Sequence, residues 1–196
     1  FKKVMVFFAA MPFVSVYCQD NNSGYIKSII VRSNERKYAW SNIVVCALAG
    51  FTAVFMGIMV YFCIISCIYP LQPYQAAGIY NDIAISNPCL YVMIIVSGFA
   101  LYSAMWTVVG LTLSSVLPDY YIALGSPLIF GYILEELTEG LPPYLNLYTL
   151  SHNGSVIDKS PLLNCLYIMG VFIFIMAISG CVFSCFVKRR SRNEVV

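Results

Sequence analysis

An all-α, polytopic bundle of transmembrane helices is the fold this chain predicts, and three uncharged runs predict it. Ile43 to Tyr69, Leu90 to Leu117 and Leu162 to Val187 contain no Asp, Glu, Lys, Arg or His. Each is longer than the roughly 20 apolar residues that cross a hydrocarbon core of about 30 Å as a helix. Hydrocarbon offers a bare backbone no hydrogen-bond partner, so such runs form helices that satisfy themselves. Composition agrees. Hydrophobic residues make up 60% of the chain, charged residues 10%, and mean hydropathy is +0.80, against roughly 25% charge in a soluble domain. The intervening polar stretches are too short to fold as domains, so residues 1–196 read as one membrane-embedded unit.

Taken in order, Val4 to Cys18 is apolar but short, with Pro12 inside it. It reads as an interfacial segment, as the inner part of a crossing helix, or, behind Lys2 and Lys3, as the core of a signal peptide. A crossing puts Lys2 and Lys3 on the side that the charge rule disfavours, unless a span upstream of Phe1 sets the orientation. The loop 19–42 follows, carrying Lys27, Arg32, Arg36 and Lys37. The spacing of Ile26, Ile29 and Ile30 predicts an amphipathic surface helix, with a solvated basic turn held by anionic lipid as the alternative. Lys188, Arg189, Arg190 and Arg192 crowd the tail 188–196. Lys and Arg resist translocation, so the loop and the tail are expected in the cytoplasm.

The connections 70–88 and 138–161 hold almost no basic residues and are expected outside. Threading these sides together requires a further crossing at 120–137. There Pro127 predicts a kink, and Glu135 and Glu136 mark either an outer mouth or a plain span end. About five spans result, near 4–18, 43–69, 90–117, 120–137 and 162–187.

In lipid, helices associate through close backbone approach, which small residues four apart permit. Ala49, Ala53 and Gly57 form such a ridge, as do Ala100 with Ala104, Gly110 with Ser114, and Ala177, Cys181 and Cys185. Most of the eight cysteines lie in apolar spans, where a thiol behaves as a small hydrophobe and not as a metal ligand. Cys89 and Cys165 are both expected near the outer side but unpaired. His152, the only histidine, reads as a solvated loop residue. Asn21-Asn22-Ser23 and Asn153-Gly154-Ser155 match the glycosylation triplet, which has meaning only in a eukaryotic secretory context. The chain has no phosphate-binding loop, dinucleotide turn, nucleophile elbow or paired-histidine zinc motif. No enzymatic activity, metal or cofactor of its own is expected. Charges are absent from the three long spans, which argues against a proton-coupled pump or voltage sensor.

Phe7-Phe8, Met11-Pro12, Tyr17, Asp20, Ser23-Gly24-Tyr25, Ile30, Arg32, Lys37-Tyr38 and Ser41-Asn42 precede a long span rich in small residues. Ala123-Leu124-Gly125-Ser126-Pro127 and Leu141-Pro142-Pro143 come later. Together they resemble the type-2 ABC exporter permeases, in particular the small bacterial ones of antibiotic and bacteriocin resistance. The resemblance implies a six-helix permease of the bacterial plasma membrane with a cytoplasmic C terminus. Its first helix would lie upstream of Phe1, and Val4 to Tyr17 would be the inner part of the second. It further implies a re-entrant outer connection, a second permease subunit, and separate ABC ATPase subunits that bind ATP and Mg. Gly24, Tyr25, Arg32, Arg36, Lys37 and Tyr38 would form the element that couples to those ATPases. The cargo would be a lipid, peptide or amphipathic compound, and no nucleic-acid partner is expected. The alternative is a noncatalytic accessory scaffold that uses its small-residue seams and holds anionic lipid with its basic tail.

Overall fold

A computed structural model of the chain describes residues 2–26, 28, 34–69, 78–152, 156 and 160–194. Its helices are α1 (Lys2–Ala10), α2 (Val16–Asn22), α3 (Glu35–Ile68), α4 (Asn81–Ser86), α5 (Pro88–Val116), α6 (Tyr120–Thr138), α7 (Leu147–Ser151) and α8 (Pro161–Glu194). A 3₁₀ turn at Gly78–Tyr80 leads into α4. No strand occurs among the described residues. Three helices, α3, α5 and α8, are long and apolar enough to cross a membrane.

Several boundaries differ from the uncharged runs, because local capping chemistry places helix ends and charge does not. Asn34 sits in the extended region and its side chain accepts the Arg36 N–H at 3.3 Å, so α3 starts eight residues before Ile43. Glu35 then lies in the first turn, where a negative charge complements the helix N-terminus. Pro88 opens α5, its missing N–H being one that no helix start can use. At the far end, α8 runs on through the basic tail to Glu194. The segment expected as one span near 4–18 is two short helices joined by a turn at 11–15, which contains Pro12.

α5 is the centre of the bundle. In its most hydropathic stretch 61% of residues are buried, against 22% in α3 and 22% in α8. α3, α8 and α6 pack around it, and α1 fills the angle between α5, α6 and α3. Along α5 the polar side chains bond back to their own helix. Ser103 donates to Phe99 O, Ser114 to Leu111 O and Ser115 to Thr112 O. A hydroxyl can therefore be buried without stranding a donor.

Close approach depends on a few small residues. A Cβ on Gly50 of α3 would lie 2.6 Å from Thr107 Oγ1 of α5, and one on Gly110 of α5 would lie 2.7 Å from the Pro127 ring of α6. Around the first contact, Thr107 Oγ1 donates to Cys46 O at 3.3 Å and the Cys46 thiol donates to Thr107 O at 3.5 Å. α8 is tied to α5 where the Thr112 and Ser179 hydroxyls meet at 2.7 Å. Ala100, Ala104 and Gly110 with Ser114 are buried on α5.

The ridge of Ala49, Ala53 and Gly57 is a correction to the sequence reading. Ala53 and Gly57 are exposed, and a Cβ on Gly57 would meet nothing within 4 Å. The inward face of α3 runs instead along Ile43, Cys46, Gly50 and Val54. Ala177, Cys181 and Cys185 likewise point outward, while Ile168, Phe172, Gly180 and Phe183 face the core.

These contacts predict opposite outcomes at two glycines. Gly110→Ala should lower stability in detergent by about 1–3 kcal/mol, since a rigid ring cannot yield to the new methyl. Gly57→Ala should leave stability unchanged or raise it by up to about 1 kcal/mol, alanine being the better helix former. Thermal unfolding followed by circular dichroism distinguishes them, and equal midpoints would refute the close α5–α6 contact.

Candidate functional site

Three polar constellations interrupt the apolar bundle. The first is an elbow between α2 and α3. α2 ends at Ser23, and Gly24 follows with φ of +70°, a left-handed conformation that a residue without Cβ adopts at no steric cost. Ile26, two residues on, packs against the core, and the described chain resumes at Asn34, the N-cap of α3. The Tyr38 hydroxyl donates to Asp20 Oδ2 at 2.7 Å, joining α3 to α2 across 18 residues. Tyr38 is buried among Tyr17, Cys18, Ala39 and Phe183, and Tyr17 meets the Phe183 ring edge-on at 5.4 Å. The phenol therefore bridges an apolar core and a carboxylate at its rim.

Of the residues the resemblance assigns to coupling, Gly24, Tyr25, Arg36, Lys37 and Tyr38 are described. The first four are exposed around the elbow and Tyr38 is buried beneath it. Arg32 lies outside the described residues, as do Lys27, Ile29 and Ile30, so the amphipathic run is seen only in part. Arg36 and Lys37 project from the first turn of α3.

The second constellation lies between α5 and α6. Pro127 has no N–H for the carbonyl of Ala123, and the Ser126 hydroxyl donates to that carbonyl at 3.2 Å. The ring seats on Gly110, which Val14 of the α1–α2 turn also approaches. Two turns further along, Tyr102 donates to Glu135 Oε1 at 2.6 Å. Tyr102 is itself enclosed by Phe99, Trp106 and Phe172, with ring centroids 5.7 to 6.2 Å away. Glu135 is half-buried, whereas Glu136 is exposed. Between pivot and carboxylate a cavity of about 10 Å³ is lined by Val6, Trp106, Pro127 and Gly131, room for about one water.

The third constellation fastens the segment before α5 to the start of α8. Asn164, fully buried, donates from Nδ2 to the Tyr80 hydroxyl at 2.9 Å and accepts the Val156 N–H at 3.0 Å. The Tyr80 hydroxyl also lies 3.4 Å from Cys165 Sγ. All eight cysteines are free thiols. His152 is exposed at the end of α7, and the triplet 153–155 lies outside the described residues. No group of three metal-ligating side chains occurs among the described residues.

Sequence reading did not join Asp20 to Tyr38, Tyr102 to Glu135 or Tyr80 to Asn164. One signal was present: a tyrosine hydroxyl in the middle of an uncharged span needs a partner, and Glu135 is the nearest acid on the adjoining helix. The other two pairs are 18 and 84 residues apart with no periodic relation. No protein-family model, curated protein or solved structure matches the chain. Fold and sites thus define a class: an all-helical protein with three helices long and apolar enough to cross a membrane.

Burial, and after it the hydrogen bond with the Cys165 thiol, pushes the Tyr80 phenol up to about 12, above the ordinary value near 10. Folding favours the neutral phenol, so its contribution is complete below about pH 10 and is lost as pH rises toward 12. Tyr80→Phe should cost about 1 kcal/mol at neutral pH and should flatten the stability loss between pH 10 and 12. Chemical unfolding across that range measures both effects, and parallel profiles for the two proteins would refute the assignment.

Proposed function

We propose that the chain is the membrane-spanning permease subunit of an ATP-driven exporter, moving an amphipathic compound, lipid or peptide by alternating access. A separate subunit binds ATP and Mg and supplies the energy. The observation that carries this reading is the hydrogen bond from Tyr38 to Asp20. It joins the two helices that flank the basic segment 23–34, so a push on that segment reaches α2 and α3 together. α3 lies along α5, and α5 in turn holds α6 and α8. Displacement at the elbow is thereby converted to rocking of whole helices rather than bending of a loop. Pro127, seated in the Gly110 notch, provides a second place where one helix can rotate on another. The basic side chains suit an acidic groove on a cytoplasmic partner, and the resemblance to type-2 permeases supplies the identity of that partner. A second permease subunit completes the transport path in this reading.

A noncatalytic scaffold is the second reading. It is favoured by the small residues Ala53, Gly57, Ala177, Cys181 and Cys185, which are exposed on α3 and α8.

Affinity purification of the tagged chain from its own membranes separates the two. The exporter predicts co-elution of a polypeptide with a phosphate-binding loop and Mg-dependent ATP hydrolysis. A stoichiometric partner without nucleotide binding would establish the scaffold. Within the exporter, Asp20→Asn or Tyr38→Phe should reduce cargo-stimulated ATP hydrolysis several-fold while helix content stays constant, a hydrogen bond to a carboxylate being worth about 1.5–3 kcal/mol. Unchanged coupling in both variants would overturn the role of the elbow.

A further inference from the structure

We propose that a cleft between α1, α3, α5 and α7 binds one long-chain fatty acid drawn from the surrounding bilayer, with its carboxyl group at His152. This proposal is independent of the transport reading. The cleft has a volume of about 510 Å³ and is walled by Met5, Gly57, Ile58, Tyr61, Val96 and Phe99, with Ser151 and His152 at its α7 end. Small-molecule sites occupy roughly 300–1,000 Å³ and combine apolar walls with a few polar groups, and this cleft has that character.

Two features choose the occupant. Helix seats within membranes are lined by small residues that let backbones approach. Here Gly57 is the one small lining residue on the two helices able to cross a membrane, and Ile58, Tyr61, Val96 and Phe99 of those helices form most of the wall with Met5 of α1. Such walls fit a slender, flexible acyl chain better than a second helix. The polar end selects the head group. His152 Nδ1 lies 2.9 Å from Tyr148 O and 3.1 Å from the Ser151 hydroxyl, and because a carbonyl only accepts, the first contact is a hydrogen bond in the tautomer with the hydrogen on Nδ1. The Ser151 hydroxyl donates to the same carbonyl at 2.9 Å, and the imidazole lies against the Tyr148 ring, tilted by 35° with centroids 4.1 Å apart. The tautomer leaves Nε2 as an acceptor, with no partner among the described residues. A carboxylic acid donates its proton to Nε2, or transfers it and accepts the hydrogen bond back as a carboxylate. The contact survives in either protonation state and is charge-assisted in the second. An alcohol makes only the neutral bond.

The test uses the purified full chain in phosphatidylcholine nanodiscs with a stearic acid carrying a diazirine near its methyl end. Adducts are located by peptide mass spectrometry and competed with unlabelled stearate or octadecanol. Labelling should concentrate on 57–61 and 95–99. Gly57→Phe, whose Cβ enters open space, should fill the cleft and reduce that labelling at least tenfold. If that variant loses helix content, Ile58→Trp on the same wall takes its place. His152→Ala, at an exposed position, should weaken competition by stearate about tenfold and by octadecanol only about threefold, since the alcohol loses a neutral bond and the acid a charge-assisted one. Three results would overturn the proposal: adducts spread evenly over outward-facing residues, labelling indifferent to the filled cleft, or stearate and octadecanol competing equally in both proteins. Recovery of the cleft residues in a cross-link to another polypeptide would overturn it too, by showing a protein occupant.

Discussion

The bundle depends on how closely α3 and α6 approach α5. At Gly50 and Gly110 the absence of a Cβ lets a threonine and a proline ring occupy space that any side chain would claim. Between helices in hydrocarbon there is no hydrophobic gain from burying one apolar surface against another, so association rests on dispersion at short range and on interhelical hydrogen bonds. Both are present at the α3–α5 contact, where Thr107 and Cys46 exchange bonds with each other's carbonyls around the Gly50 notch. With α5 enclosed in this way, the remaining helices can be peripheral, each burying one face and leaving the other outward.

The polar groups follow from the same constraint. An unpaired donor in an apolar medium costs several kcal/mol, so hydroxyls within α5 turn back onto their own carbonyls or reach a polar group on a neighbouring helix. Tyr38 with Asp20, Tyr102 with Glu135 and Tyr80 with Asn164 share one design: a phenol whose ring lies among apolar residues and whose oxygen meets a polar group at their edge. Tyrosine suits this because body and tip have different solvents. The elbow and the α5–α6 pivot are therefore parts of the packing that also present polar chemistry, which is why a force applied at either has a path into the helices.

The uncharged runs made three long helices legible, and Pro127 marked a special position in a fourth. Helix ends were less legible. Charge marks where a helix can no longer sit in hydrocarbon, while Asn34, Pro88 and Pro161 mark where the backbone starts to coil, and these differ by up to eight residues. Packing faces were the least legible. On α3 the rows Ala49–Ala53–Gly57 and Cys46–Gly50–Val54 are both spaced by four, and they lie about 100° apart around the helix. Nothing in either row says which meets α5, and the row with more small residues faces outward. On α8 the row Ala177–Cys181–Cys185 misleads in the same way. The candidate sites were legible only as members. Tyr38, Asp20 and Glu135 each stood out, but the pairing that makes them act together did not.

The sequence by itself determined that the chain is helical and carries segments able to cross a membrane, because exclusion of charge over more than 20 successive residues is a local property that no tertiary contact is needed to express. It also determined the basic character of the stretch ahead of α3 and the missing N–H at Pro127 within α6. Only the tertiary structure decided that α5 is central, which row of each helix is inward, and that Tyr38, Tyr102 and Tyr80 reach acceptors or donors far away in the chain. Those outcomes depend on the shape of a partner surface, and a helix turning 100° per residue offers several equivalent faces until one of them meets a notch that fits.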